Sequence, residues 1–269
     1  MPISSSAHTI LIPWLAGWPY AELDPELRKC FEVALHAGTA AAVLADLRSV
    51  DFRQALVTTP RNFDARQAML IVLSFIPPAV AGYTFEQLLQ SRLSGPPTIA
   101  AGLLLGGVAM ALADAGPQEG TRTLVQASAA DGLLLGLAQA FALIPGVSRS
   151  GAVLTAARAR GFSRADSHTL ARRTGLPVIL GAGALKTGRL LQRGGVGGAP
   201  IFVDRRSASA LACGGAAAFL STLAVTRLLR RHGRAAHAAP LLPYSLYRGL
   251  LASLVILRRP YAPPAPGAQ

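Results

Sequence analysis

Six stretches of this chain, near 29–47, 66–84, 97–115, 174–192, 207–229 and 241–258, are apolar over most of their length and joined by short loops. A bilayer core is crossed by about 20 largely apolar residues in a helix. No water-soluble fold accommodates six such runs in 269 residues, so the pattern predicts an all-α, polytopic membrane bundle. Composition agrees. Charged residues make up 14%, against roughly 25% in a soluble domain, and the mean hydropathy is +0.40. The same numbers exclude disorder, and Cys30 and Cys213 are too few for a disulfide framework.

The formal net charge of +13 would point a soluble protein toward nucleic acid. Here the cations are arginines gathered between apolar runs, as Arg48, Arg53, Arg61 and Arg66, then Arg227, Arg230, Arg231 and Arg234. That is the pattern of basic cytoplasmic loops. No aromatic residues are interleaved with them to stack bases, so no nucleic-acid partner is expected. Arg193, Arg205 and Arg206 load a loop that simple alternation would put on the other side. Residues 1–259 are expected to form a single transmembrane domain, and the Pro-rich tail from Pro260 to be disordered. No cleavable signal peptide is expected, since Met1 is followed by a serine run rather than a basic segment.

Two segments do not read as simple spans. Residues 1–18 pass from serines into HTILIPWLAGW, which is too short to cross. In 130–160 an apolar helix stops at Pro145-Gly146, polar residues follow, and a second helical pattern begins. Helix breaks at membrane depth are tolerated where the backbone is buried in protein or lines a cavity. The segments also echo each other: Pro2-Ile3-Ser4-Ser5-Ser6-Ala7 answers Pro145-Gly146-Val147-Ser148-Arg149-Ser150-Gly151. Paired breaks of this kind predict inverted repeats with re-entrant helices and a site at the repeat interface.

The chemistry-bearing residues fall at those breaks. Ser148-Arg149-Ser150-Gly151 opens a helix, whose free N–H groups and partial positive charge suit a phosphate. Arg149 adds a guanidinium fork; the plainer alternative is a serine cap with a snorkelling arginine. Ser4, Ser5, Ser6 and His8 form the second cluster. Ser5 and His8 are three apart on one helix face, so that an imidazole could activate a hydroxyl, or the serine could merely cap the helix. Glu32 and His36, four apart in an apolar span, are a third candidate, while Asp131 and Asp166 flank their segments and are expected to be solvated. No protein-only metal motif and no Walker-type loop occurs.

PISSSAH at the start, FEVALHAGTAAAVL at 31–44 and ALIPGVSRSGAVL at 142–154 resemble the undecaprenyl-diphosphate phosphatase family of the bacitracin-resistance type. GLPVILGAGALK at 175–186 and PYSLYRGLLA at 243–252 are weaker matches in the same order, so the resemblance covers nearly the whole chain. It implies a multi-pass enzyme of the bacterial inner membrane that hydrolyses undecaprenyl diphosphate to undecaprenyl phosphate and inorganic phosphate. This would recycle the lipid carrier for cell-wall synthesis. By position, Ser5, His8 and Arg149 match the catalytic residues, with Ser4, Ser6, Ser148, Ser150 and Gly151 around the substrate. The resemblance also implies a divalent cation, Mg or Ca, bound by two glutamates of an EGxTEFLP-like stretch. That stretch would lie upstream of Met1, whose Met-Pro stands where the stretch ends in Leu-Pro, and Ser6-Ala7 replaces Thr-Gly. A start upstream of Met1 is the expectation, with a truncated paralogue as the alternative; an upstream-extended chain is expected to be the more stable in detergent. Two other functions stay open, an anion or polyprenyl-phosphate carrier and an inactive homologue that binds the lipid diphosphate. Nothing in the sequence fixes an oligomeric state.

Overall fold

The computed structural model describes residues 1–49, 65–116, 120–192, 205–231 and 240–258. The loop at 48–66, the loop carrying Arg193 and the tail from Pro260 lie wholly or largely outside the described residues. The helices are α1 (Ser5–Ala16), α2 (Pro25–Ser49), α3 (Ala65–Leu93), α4 (Pro96–Asp114), α5 (Ala129–Phe141), α6 (Arg149–Ala159), α7 (Arg164–Gln192), α8 (Arg205–Arg231) and α9 (Leu242–Leu257). Among the described residues the only β pairing is an isolated bridge between Arg122 and Phe162. The chain is all-α, and each of the six apolar runs is a helix.

Windows within α3, α4 and α8 are long and apolar enough to cross a bilayer, with mean hydropathies of 1.8, 1.6 and 1.7. Their outer faces are apolar. Leu105 and Leu112 on α4 are 71% and 72% exposed, and the spanning window of α8 buries none of its residues inside the protein. Such all-round hydrophobicity belongs to helices whose solvent is lipid.

The order of elements repeats. Each half has a short helix entered through a serine (α1, α6), then two long helices (α2–α3, α7–α8), then a shorter apolar one (α4, α9). Across the halves α2 packs on α8, α3 on α7, and α4 on α9. Exchanging the halves converts the first of these contacts into the second and the third into itself, as two related repeats require.

Both short helices pack on α4. Ala7 and Leu11 of α1 are buried with Ile99, Ala100 and Leu103 of α4 and Leu251, Ala252 and Val255 of α9. On the other side Val153 and Ala157 of α6 are buried with Leu70, Leu135 and Leu170 of α3, α5 and α7. Small residues make the approach close. A Cβ on Gly102 of α4 would collide with the Pro145 carbonyl of the α5–α6 turn.

Buried polar groups hold the ends. Pro78 in α3 has no N–H, which leaves the Ser74 carbonyl without its helical donor. The fully buried Gln139 of α5 donates to that carbonyl at 3.1 Å. Asp114 at the end of α4 accepts from Arg164 Nε at 2.8 Å and from the Leu241 N–H at 2.8 Å, with Arg158 Nε 3.2 Å away. One carboxylate thereby joins α4, α6, α7 and the entry to α9.

Asp131 overturns an expectation. It is wholly buried rather than solvated. As the third residue of α5 it forms a capping box with Ser128, and it accepts from Arg122 at 2.7 Å and Arg160 at 2.8 Å. Burial alone would raise its pKa, but the hydrogen bonds from Arg122, Arg160 and Ser128 hold the carboxyl well below the usual carboxylate range. The capping and the two cations repay the desolvation that made a buried aspartate improbable on sequence grounds.

Candidate active site

The two helix breaks have one construction. Ser4 and Ser148 are the residues before α1 and α6, and each has a φ of +67°. Both are buried, at 4% and 6% exposure. Each has its hydroxyl near the serine two residues on, Ser4 Oγ to Ser6 Oγ at 3.4 Å and Ser148 Oγ to Ser150 Oγ at 3.5 Å. Ser5 and Arg149 are therefore equivalent, each the first residue of its helix.

Ser148 Oγ also accepts from the Gly151 N–H at 3.3 Å, which caps α6. The main-chain N–H groups of Ser5, Ser6, Arg149 and Ser150 donate to nothing among the described residues. Ser150 Oγ donates to the Met1 carbonyl at 3.2 Å, so the first turn of α6 rests against the segment that enters α1. Two positive helix ends are thus neighbours, with open donors on each.

Arg149 is half-buried and has no hydrogen bond or ion pair among the described residues. His8 is bonded at both ring nitrogens, Nδ1 to the Ser4 carbonyl at 2.8 Å and Nε2 to the Tyr247 hydroxyl at 2.6 Å. The serine that His8 touches is thus Ser4, through its carbonyl; among the described residues the Ser5 hydroxyl has no partner. His36 Nδ1 bonds the main-chain carbonyl of Glu32 at 2.6 Å, one turn back along α2.

Sequence reasoning missed Tyr247 and Arg248. Arg248 is fully buried. Its Nη2 donates to the carbonyls of Gly146 and Val147, each at 2.9 Å, and of Gly102 at 3.3 Å. Among the described residues it has no carboxylate partner, and Nε and Nη1 are unpaired. The Gly146 and Val147 carbonyls lie at the end of the turn that delivers Ser148 and Arg149 and the Gly102 carbonyl in α4, so Arg248 ties the turn to α4 from behind. The signal was present: an arginine inside the apolar run 241–258 is a functional hypothesis by default.

The turn also needs its glycine. Gly146 has a φ of +95°, which L side chains rarely adopt, and a Cβ there would collide with the Ile99 carbonyl.

Among the described residues no group of three or more His, Cys, Asp or Glu is placed to hold a metal ion. The described donors here are serine hydroxyls, an imidazole engaged at both nitrogens and arginines. A hard divalent cation takes carboxylate and carbonyl oxygens, so this set does not fit one.

The arrangement suits a phosphoryl group. Each helix start offers open N–H groups and serine hydroxyls, α6 adding the Arg149 guanidinium and α1 the His8 imidazole, and the Ser150–Met1 bond ties the two starts together.

The model of the family described as bacitracin resistance protein BacA matches residues 1–254. An undecaprenyl-diphosphatase of Geobacter sulfurreducens is 35% identical over 266 residues, covering 95% of this chain and 91% of its own. One of Alcanivorax borkumensis is 35% identical, covering 93% and 90%. One of Pelotomaculum thermopropionicum is 39% identical over 69% of each chain.

Proposed function

The chain belongs to the bacitracin resistance protein BacA family, and from that premise we propose that it hydrolyses undecaprenyl diphosphate at the paired serine breaks. It is a membrane-embedded phosphatase that releases inorganic phosphate and leaves undecaprenyl phosphate in the bilayer. The reading adds a multi-pass position in the bacterial inner membrane, where the lipid carrier is used.

The paired ends of α1 and α6, with Arg149 unpaired at one of them, carry the assignment of the site. Hydrolysis of a diphosphate builds charge on the phosphoryl oxygens, and the protein's task is mainly to position and stabilise that charge. The open N–H groups of Ser5, Ser6, Arg149 and Ser150 donate to those oxygens, and the Arg149 guanidinium adds a forked cation. Ser4, Ser148 and Gly151 shape the two first turns. Ser5 supplies the attacking oxygen or holds the water that does, and His8 receives the released proton.

A divalent cation, Mg or Ca, is part of the proposed reaction by family resemblance alone. The described residues do not form its cage, and no step above runs through it.

The test is phosphate release from undecaprenyl diphosphate by the purified chain in detergent, beside Arg149→Ala. Loss of one such electrostatic donor costs about 100- to 1,000-fold in kcat, and a fall of that size is expected. An Arg149→Ala variant as fast as the wild type would remove the site from this part of the molecule. A carrier would release no phosphate at all.

A further inference from the structure

His8 cannot take a proton directly from the attacking oxygen in the observed geometry. The Ser4 carbonyl, 2.8 Å from Nδ1, is an acceptor only, so Nδ1 carries the imidazole proton. A neutral imidazole then has one free lone pair, on Nε2. Tyr247 fills it: its O–H donates across 2.6 Å, with the two rings 6° from parallel and their centroids 5.7 Å apart.

The contact is not a local accident of the chain. The two residues are 239 positions apart. They are brought together by the packing of α1 and α9 on α4, which buries Ala7 and Leu11 in one cluster with Ile99, Ala100, Leu103, Leu251, Ala252 and Val255. Tyr247 itself is 42% exposed, and among the described residues its hydroxyl has no partner besides His8.

We propose that Tyr247 is a catalytic residue of the hydrolysis, a relay that carries the proton of the attacking oxygen to His8. This rests on the reading of His8 as the proton acceptor. The attacking oxygen loses its O–H bond as a new O–H bond forms on Tyr247, and the original phenol proton moves to Nε2. The imidazole becomes imidazolium, and the phenol ends with one proton, as it began. A hydroxyl suits this because it donates to neutral Nε2 and, turned, accepts from Nε2–H.

The experiment is a double-mutant cycle on phosphate release by the full chain, using Tyr247→Phe, His8→Ala and the pair. Phe keeps the ring against His8, and the thermal midpoint in detergent verifies that the fold survives. The relay requires Tyr247→Phe to lower kcat about 100-fold, in the range of general acid–base catalysis, with KM within about twofold. It also requires the pair to be no slower than His8→Ala alone. A Tyr247→Phe enzyme as fast as the wild type would overturn the relay, since a freed Nε2 would then be reached directly. A pair slower than His8→Ala would overturn it too, by giving Tyr247 a role independent of the imidazole. If His8→Ala itself retains the wild-type rate, the assignment of His8 as the proton acceptor fails first and the relay falls with it.

Discussion

Ser4 and Ser148 hold the same left-handed φ of 67° at equivalent positions of the two repeats, and among the described residues no other non-glycine residue has a positive φ. A non-glycine residue in such a region costs on the order of 1–3 kcal/mol and persists where its surroundings overdetermine it. Here the surroundings are the same twice: a buried serine, a hydroxyl partner two residues on, and a helix that starts at once. The turn aims the first N–H groups of both helices away from their own chain.

The strain at Ser148 gives a signed prediction. Ser148→Ala keeps the unfavourable φ and loses the cap on Gly151, which is worth about 1 kcal/mol. Ser148→Gly loses the cap but relieves the φ, so its net change is expected to stay within about 0.5 kcal/mol. Thermal unfolding in detergent should rank wild type and glycine together, above alanine. Alanine melting with the wild type would mean the Ser148 hydroxyl carries no capping energy.

Arg248 tests how the turn is held. Removing its guanidinium takes the donor from the Gly146 and Val147 carbonyls of the turn, and each stranded group costs about 1–3 kcal/mol. Arg248→Met is expected to lower stability by about 3 kcal/mol and to abolish phosphate release. Arg248→Lys, with a single ammonium in place of a fork, should fall between Met and the wild type on both measures. A Met variant with normal release would show that the turn keeps its shape without the guanidinium.

The spans were legible because length and hydropathy alone determine them in a bilayer: the runs near 66–84 and 97–115 match the apolar spans Ala65–Phe85 and Pro96–Asp114 to within a residue, while α3 itself runs on to Leu93. The breaks were legible because Pro145-Gly146 cannot continue a helix. Asp131 was misjudged because its partners Arg122 and Arg160 come from separate loops, and only packing brings them to one carboxylate. Tyr247 stayed hidden for a similar reason. Nothing in the spacing of an apolar run tells which face of α9 meets His8, 239 residues away.

Asp131 also sets a pH dependence. Its folded-state pKa is lowered from 3.8, so folding favours its ionised form. The stability it contributes is fully present above about pH 4 and is lost as pH falls toward the folded-state value. Unfolding in detergent should therefore be flat from neutral pH down to about pH 5 as far as this group is concerned, then weaken below it. Asp131→Asn should be less stable at pH 7 by about 2 kcal/mol, because two guanidiniums lose their counter-charge while remaining partly hydrated. It should also lose part of the acid-side slope. A slope identical in the variant would assign the acid sensitivity to another carboxylate.

The close approach of the α5–α6 turn to α4 rests on Gly102 and Gly146, and the two glycines should differ when replaced. Gly102→Ala adds a methyl against the Pro145 carbonyl but leaves a normal helical backbone. The turn can retreat by a fraction of an ångström, at an overpacking cost of about 1–3 kcal/mol. Gly146→Ala meets the Ile99 carbonyl and must also hold a φ of +95°, so steric and backbone costs add to more than about 3 kcal/mol. Both should lower phosphate release, because the turn delivers Arg149, and Gly146→Ala should also fail to accumulate as folded protein. Size-exclusion profiles and melting midpoints in detergent separate the two effects. Equal behaviour of the variants would mean that contact with α4, rather than the backbone of the turn, is what Gly146 provides.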